Sequence, residues 1–219
     1  MNSRRAILMA SVILGAFAVA GTALVAFTHM ATAARIEQNE REALLESLHA
    51  LVPEASVDND MVSDVIEISD PDFLGGPQTT VYRGRKMEQP VAAVLTTMVP
   101  NGYSGPIKLL VAVGYDGTLG GVRVISHKET PGLGDKIEES RSDWIYSFTG
   151  KSLGNPPLEK WAVKRDGGVF DQFTGATITP RSVVEAVKKT LIYVRDHQDA
   201  LYDRQNATTA AKPEGGAHG

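Results

Sequence analysis

The sequence predicts an α+β domain, a mainly antiparallel sheet flanked by helices, standing behind an N-terminal transmembrane helix. Three observations carry this. Ala6 to Phe27 is a run of 22 strongly apolar residues. Four runs rich in Val, Ile, Leu and Thr follow one another at hairpin distance between residues 79 and 127. A helical stripe, Val183, Val187, Leu191 and Val194, closes the folded part. Strands in succession, with helices gathered at the ends, describe α+β rather than alternating α/β.

The anchor comes first. No Lys, Arg, Asp or Glu stands between Arg5 and Arg35. At ~1.5 Å per residue the apolar run makes roughly 33 Å of helix, enough for a hydrocarbon core of about 30 Å. A cleaved signal, with "ATA" at 31–33 as its cleavage site, is the rival reading. Its apolar run is usually only about 7–15 residues, so a retained anchor fits better. Arg4 and Arg5 on the short side place that side in the cytoplasm and the rest of the chain outside it.

Residues 33–51 are rich in helix formers, with Ile36, Leu44, Leu48 and Leu51 at helical spacings, and Pro53 ends the pattern. This helix either continues the span or packs on the domain. The acidic stretch 54–77 fits no EF-hand and reads as a solvated loop with one short element near Val62–Ile68. The strands are then expected at 79–84, 91–98, 107–114 and 119–127, the last two joined by a turn in which Asp116 and Gly117 take positive φ. One or two short helices over 133–148 present Trp144, Ile145 and Phe148 on an apolar face, and 160–173 suggests one or two more strands. Thr179 is the expected N-cap of the closing helix and Pro180 its first residue.

Composition excludes several kinds of chemistry. Cysteine is absent, which removes disulfides, thiolate metal sites, iron–sulfur clusters and Cys nucleophiles, so redox chemistry would need a borrowed cofactor. The five histidines are scattered without an i, i+4 pair, and no metal site is expected. A net charge of −4 gives no reason to expect nucleic acid.

Two stretches hold candidate chemistry. "DQFTGATITP" (171–180) is in the first instance a helix entry, with Thr177 or Thr179 as cap and Gly175 for an unusual turn. The same residues suit a phosphate: a helix start offers free N–H groups and partial positive charge, and Gly175 allows close backbone approach. Spacing is compatible with both readings, and with a phosphate that is free or esterified to a threonine. "SHKETPGLGDK" (126–136) is a tight Pro/Gly loop after a strand, in which Leu133 stands between two glycines and suits contact with a flat ring. His127 and Glu129 suggest a base and its orienting partner, but no serine-elbow or HExxH pattern accompanies them.

Together these stretches resemble the G subunit of the Rnf (Rsx) ion-translocating electron-transport complex, and its relative the C subunit of the sodium-translocating NADH:quinone oxidoreductase. The likeness is carried by the anchor, the "GYSGPI" turn at 102–107, the "ETPGLG" loop at 129–134, and a flavinylation pattern D-x-x-[S/T]-G-A-[T/S]. Asp171, Thr174, Gly175, Ala176 and Thr177 match that pattern; Thr174 stands where serine is common and Gln172 where glycine is common. The shorter length favours the Rnf branch. The resemblance implies FMN fixed by a phosphoester to Thr177, with Thr174, Gly175, Ala176, Thr179, Glu129, Thr130 and Leu133 around it. It also implies an FAD-dependent flavin transferase that recognises Asp171. The expected protein is an electron-carrying subunit of a translocase, without catalysis of its own, moving electrons between ferredoxin and NAD beside other membrane subunits. It would be single-pass in a bacterial inner membrane, its soluble part periplasmic. The expected division is 1–30 for the cytoplasmic tip and span, 31–53 for a juxtamembrane helix, 54–202 for the FMN-binding domain and 203–219 for a disordered tail. A membrane-tethered interaction module without cofactor is the alternative from another class.

Overall fold

A computed structural model of the chain describes residues 3–203, so the proposed tail beyond Asp203 lies outside the described residues. Two compact units are distinguished, Met1–Leu44 and Leu45–Gly219. The described residues of the first are all helical and belong to α1 (Ser3–Leu51), a single unbroken element of 49 residues. Its apolar stretch is long enough to cross a membrane. Ile7, Leu14, Phe17, Leu24 and Phe27 all stand exposed, a surface that only lipid or another apolar helix would cover. Thr22, Thr28 and Thr32 do not expose bare hydroxyls, because each donates to a carbonyl four residues back.

The second unit begins with the last residues of α1 and is built on one antiparallel sheet. Its strands are β1 (Val65–Ile68), β2 (Thr79–Lys86), β3 (Gln89–Val99), β4 (Ile107–Gly114) and β5 (Leu119–Ser126), neighbouring in sequence order. The register pairs Ala93 with Val113, Leu95 with Val111 and Val99 with Ile107, so these apolar residues share one face. That face is covered by α3 (Ile178–Asp196), whose Val183, Val187, Leu191 and Val194 are all buried. Where the two layers meet, the hydroxyls of Thr97 and Thr190 pair at 3.0 Å, so a polar couple in the core is satisfied.

The opposite face carries Ala92, Val94, Leu110 and Ala112, also buried. It is closed by the chain from the end of α1 onward. A Cβ on Gly84 would come within 2.9 Å of Val57 and 3.3 Å of Met61; one on Gly121 would meet Leu51 at 2.9 Å. These glycines are small because that layer lies directly on them.

The acidic stretch holds the expected short element, as β1, but its remainder is not simply solvated. Asp64 accepts from both Arg83 and Arg85, and Arg83 is only 1% exposed. The same two arginines hold the backbone carbonyls of Asp203 and Tyr202. Asp70 caps α2 (Pro71–Leu74), a short helix the sequence pattern did not predict. Asp58 accepts from the Met87 N–H at 2.8 Å, and this supports a two-residue β2–β3 turn in which Met87 and Glu88 both have positive φ without being glycine. In the β4–β5 turn only Gly117 is left-handed; Asp116 instead accepts from the Thr118 N–H.

Three further expectations are corrected. The short helices over 133–148 are 3₁₀ turns, Gly134–Ile137 and Asp143–Phe148, although Trp144, Ile145 and Phe148 are buried as the pattern requires. Residues 160–173 form no strand; they hold the end of one 3₁₀ turn, a second at Lys164–Asp166, and isolated bridges Val163–Phe170 and Phe173–Ala176, because Trp161, Phe170, Phe148 and Trp144 collapse into one ring cluster instead of extending. The last correction is the start of α3. Thr177 is its N-cap and Ile178 its first residue, with Thr179 and Pro180 already inside the first turn. The 5-residue α4 (Gln198–Tyr202) follows.

Candidate functional site

The loop before α3 is held from beneath. The indole N–H of Trp144 donates to the Asp171 carbonyl at 2.8 Å, and the ring packs edge-on against buried Phe173. From Phe173 the chain turns on two residues: the Ala176 N–H returns to the Phe173 carbonyl, and Thr174 and Gly175 make the bend. Gly175 has φ +83°, which the third position of such a turn demands and an L side chain resists. A Cβ there would stand 3.3 Å from Leu133 Cδ2. Gly175 therefore faces the second motif, and residues distant in sequence share one site.

That second motif is fixed by its own polar atoms. The Thr130 carbonyl accepts from both Leu133 and Gly134, closing the loop over Pro131 and Gly132. Leu133 is left 41% exposed at its tip. Glu129 turns inward and is only 4% exposed. One of its oxygens accepts from the Ser104 N–H at 3.0 Å, the other from the Thr179 hydroxyl at 2.5 Å. The fit is close. A Cβ on Gly102 would lie 2.9 Å from one Glu129 oxygen, and a Cβ on Gly134 2.7 Å from the other. Glu129 thus ties together the 102–104 turn, its own loop and the start of α3.

The three threonines are thereby given different environments. Thr179 is fully buried and its hydroxyl is bonded to Glu129. Thr174 is exposed at the turn. Thr177 is half-buried and, although it occupies the N-cap, makes no side-chain bond to the helix. The Thr177 side chain makes no capping bond, and the first turn of α3 retains the donor character and partial positive charge of a helix start. Ala176, half-buried beside Thr177, packs on the core.

The flanking charges are paired at the surface and do not lie in apolar surroundings. Asp171 is exposed and meets Lys164 at 2.5 Å. Arg181 donates twice to Asp166, at 2.7 and 2.9 Å, and these bonds hold the Asp166 carboxyl below its ordinary range. On the other side of the loop, His127 Nε2 lies 2.5 Å from Glu138 Oε1. That bond, followed by one from Ser140, holds the Glu138 carboxyl below its usual value.

Known proteins share this arrangement of sequence. The FMN-binding domain family matches residues 102–192, and the RnfG N-terminal region matches residues 1–51. The chain is 47% identical to the G subunit of the ion-translocating oxidoreductase complex of Pseudoalteromonas atlantica, over 89% of this chain and 91% of that protein. Identity to the corresponding G subunits of Pseudomonas aeruginosa and Shewanella loihica is 46% and 44%, over 94% and 92% of this chain and 96% and 95% of theirs. The chain belongs to the family of G subunits of ion-translocating oxidoreductase complexes.

For this family member, the FMN-binding match begins at Gly102, the glycine against Glu129, and runs through Thr177 into α3. The fit to FMN rests on geometry as well: an uncapped helix start suits a phosphate, and the exposed Leu133 beside Gly175 offers an apolar surface to a ring. Sequence reasoning did not place Ser104 or Trp144 at the site. Both act through a backbone amide or carbonyl, which leaves no local mark in the sequence.

Proposed function

We propose that this chain is an electron-carrying flavoprotein subunit of a membrane-bound complex, with FMN held through a phosphoester to Thr177. FMN when bound accepts electrons and passes them on. The observation that carries the reading is the N-cap of α3, where Thr177 stands with its hydroxyl making no capping bond to the helix. A phosphate on that oxygen lies where the first-turn N–H groups and the helix dipole favour negative charge. Leu133, Gly175 and the exposed Ile178 then supply the apolar border of the ring site. Thr179 and Glu129 support from beneath, their polar atoms turned toward each other.

The ester forms when the Thr177 hydroxyl oxygen bonds to the FMN-side phosphorus of FAD and the pyrophosphate bond breaks. AMP leaves and the hydroxyl proton passes to a base on a separate flavin transferase. Asp171, exposed and six residues before Thr177, is the side chain that enzyme reads. The complex transfers electrons between ferredoxin and NAD and couples this to Na⁺ or H⁺ movement. Other membrane subunits flank α1. The first two arginines face the cytoplasm and the folded domain lies in the periplasm, on the outer side of a bacterial inner membrane.

Intact-mass analysis of the chain made with its transferase tests the site. The expected increment is one FMN minus one water, mapped to the peptide holding Thr177, absent in Thr177→Ala and restored in Thr177→Ser. An increment that persists in Thr177→Ala overturns the attachment residue, and a chain that never gains flavin overturns the electron-carrier reading.

A further inference from the structure

We infer that Tyr103 is a flavin-contact residue: its phenol ring closes the side of the ring site that Leu133 and Ile178 leave open. The inference rests on the reading of Thr177 as the attachment residue, which it deepens.

Tyr103 belongs to the "GYSGPI" turn at 102–107, and its place is fixed from both sides. Before it, the Asn101 carbonyl accepts from the Ser182 hydroxyl at 2.8 Å. After it, the Ser104 N–H donates to Glu129, whose other oxygen takes the Thr179 hydroxyl. Residues 101 and 104 are thus held to residues 182 and 179 of α3, which lie within one helical turn, about 5.4 Å along the axis. Ile178 precedes Thr179 and shares a helix face with Ser182, four residues on. Tyr103 is therefore pinned beside the start of α3, next to the face on which Ile178 emerges.

The turn is tight. A Cβ on Gly102 would stand 2.2 Å from the Gly105 carbonyl oxygen as well as 2.9 Å from Glu129, so the bend has no room inside for a ring. The tyrosine is turned out and is 68% exposed. Among the described residues its hydroxyl has no hydrogen-bond partner. An apolar side chain exposed singly needs no explanation. Tyr103 does not stand singly: Leu133 and Ile178 are exposed around the same loop, the one that carries Thr177. A fixed backbone, an unengaged aromatic ring and two aliphatic neighbours make a border for a flat ring, and the aromatic face adds stacking that the aliphatic ones cannot.

Flavin fluorescence reads the contact. An excited flavin takes one electron from a phenol ring touching it, and the electron then returns, so a docked flavin is dark and emission reports the undocked fraction. The full chain made with its transferase is measured in detergent, per FMN attached as scored by intact mass. Loss of one aromatic contact should raise the undocked fraction, and with it the emission of Tyr103→Ala, roughly two- to tenfold. Visible circular dichroism of the flavin should weaken in parallel, because an undocked ring loses its asymmetric surroundings. Tyr103→Phe keeps the stacked ring but is a poor electron donor, so emission should rise while the dichroism is kept. Tyr103→Trp stacks and donates, and should match the unsubstituted chain in both. The exposure of the residue means that none of these substitutions opens a core cavity. If Tyr103→Ala takes no flavin, the Phe and Trp variants decide. Equal emission per flavin in all the chains overturns the contact and leaves Thr177 as the anchor. An unsubstituted chain without the FMN increment overturns the anchor, and the contact with it.

Discussion

Glu129 replaced by alanine and by glutamine separates the shape of this carboxylate from its charge. In the native site its two oxygens satisfy the Ser104 N–H and the Thr179 hydroxyl, the latter with no exposure to solvent. Alanine strands the buried Thr179 hydroxyl, whereas exposed Ser104 can turn its N–H to water. One unsatisfied buried donor costs about 1–3 kcal/mol. Against a total of about 5–15 kcal/mol for an ordinary domain, that is a large share. Glutamine behaves differently. Its amide oxygen accepts from Ser104, and its NH₂ donates to Thr179, whose hydroxyl can reverse its role. Both bonds survive in neutral form; what is lost in charge assistance is offset by no longer burying a charge, leaving a change within about 1 kcal/mol. Urea unfolding of the full chain in detergent, followed by emission of the buried Trp144 and Trp161, measures both. Equal damage from the two substitutions would refute the argument, because it would mean that the negative charge itself, and not the pair of acceptors, holds the three segments together. A loss below about 1 kcal/mol for alanine would refute it from the other side.

Gly175→Ala should destabilise by about 1–2 kcal/mol, because a side chain must enter the left-handed region. The added Cβ also meets Leu133 at 3.3 Å, so the yield of the FMN increment on Thr177 should fall alongside a drop in Tm of about 2–8 °C. Glu138 supplies a pH signature. Its carboxyl is lowered in the folded state, first by the His127 bond and then by Ser140, from an ordinary value of 4.5. A lowered carboxyl contributes stability that is fully present above its unfolded pKa and is lost as pH falls through the folded one. Glu138→Gln should therefore flatten the acid limb of the stability curve below about pH 4.5 and leave neutral stability nearly unchanged. An acid limb identical to that of the unsubstituted protein would show the pair to be without thermodynamic weight.

Much of this architecture is legible locally. Runs of β-branched residues separated by turn-forming residues predict β2 to β5. The stripe Val183, Val187, Leu191 and Val194 predicts α3 by its spacing. Boundaries and polar partners are less accessible. Thr179-Pro180 is a sound local helix entry, yet the helix begins two residues earlier, because Glu129 draws the Thr179 hydroxyl inward and leaves the cap to Thr177. Residues 160–173 have strand-like composition, but their rings find one another before any strand partner does. The Met87-Glu88 turn carries no Asn-Gly signature; its support is Asp58, 29 residues away.

The order of apolar and polar residues was enough to specify a lipid-length helix, a mainly antiparallel sheet and a closing amphipathic helix, since burial of periodic patterns needs only neighbours along the chain. It was enough as well to bring two glycine-bearing loops under suspicion. Which of the three threonines has its hydroxyl taken up inside the fold is another matter. That was decided when a carboxylate fifty residues upstream folded against α3, because a hydrogen bond depends on where two atoms finish in space, and separation in sequence leaves that undetermined.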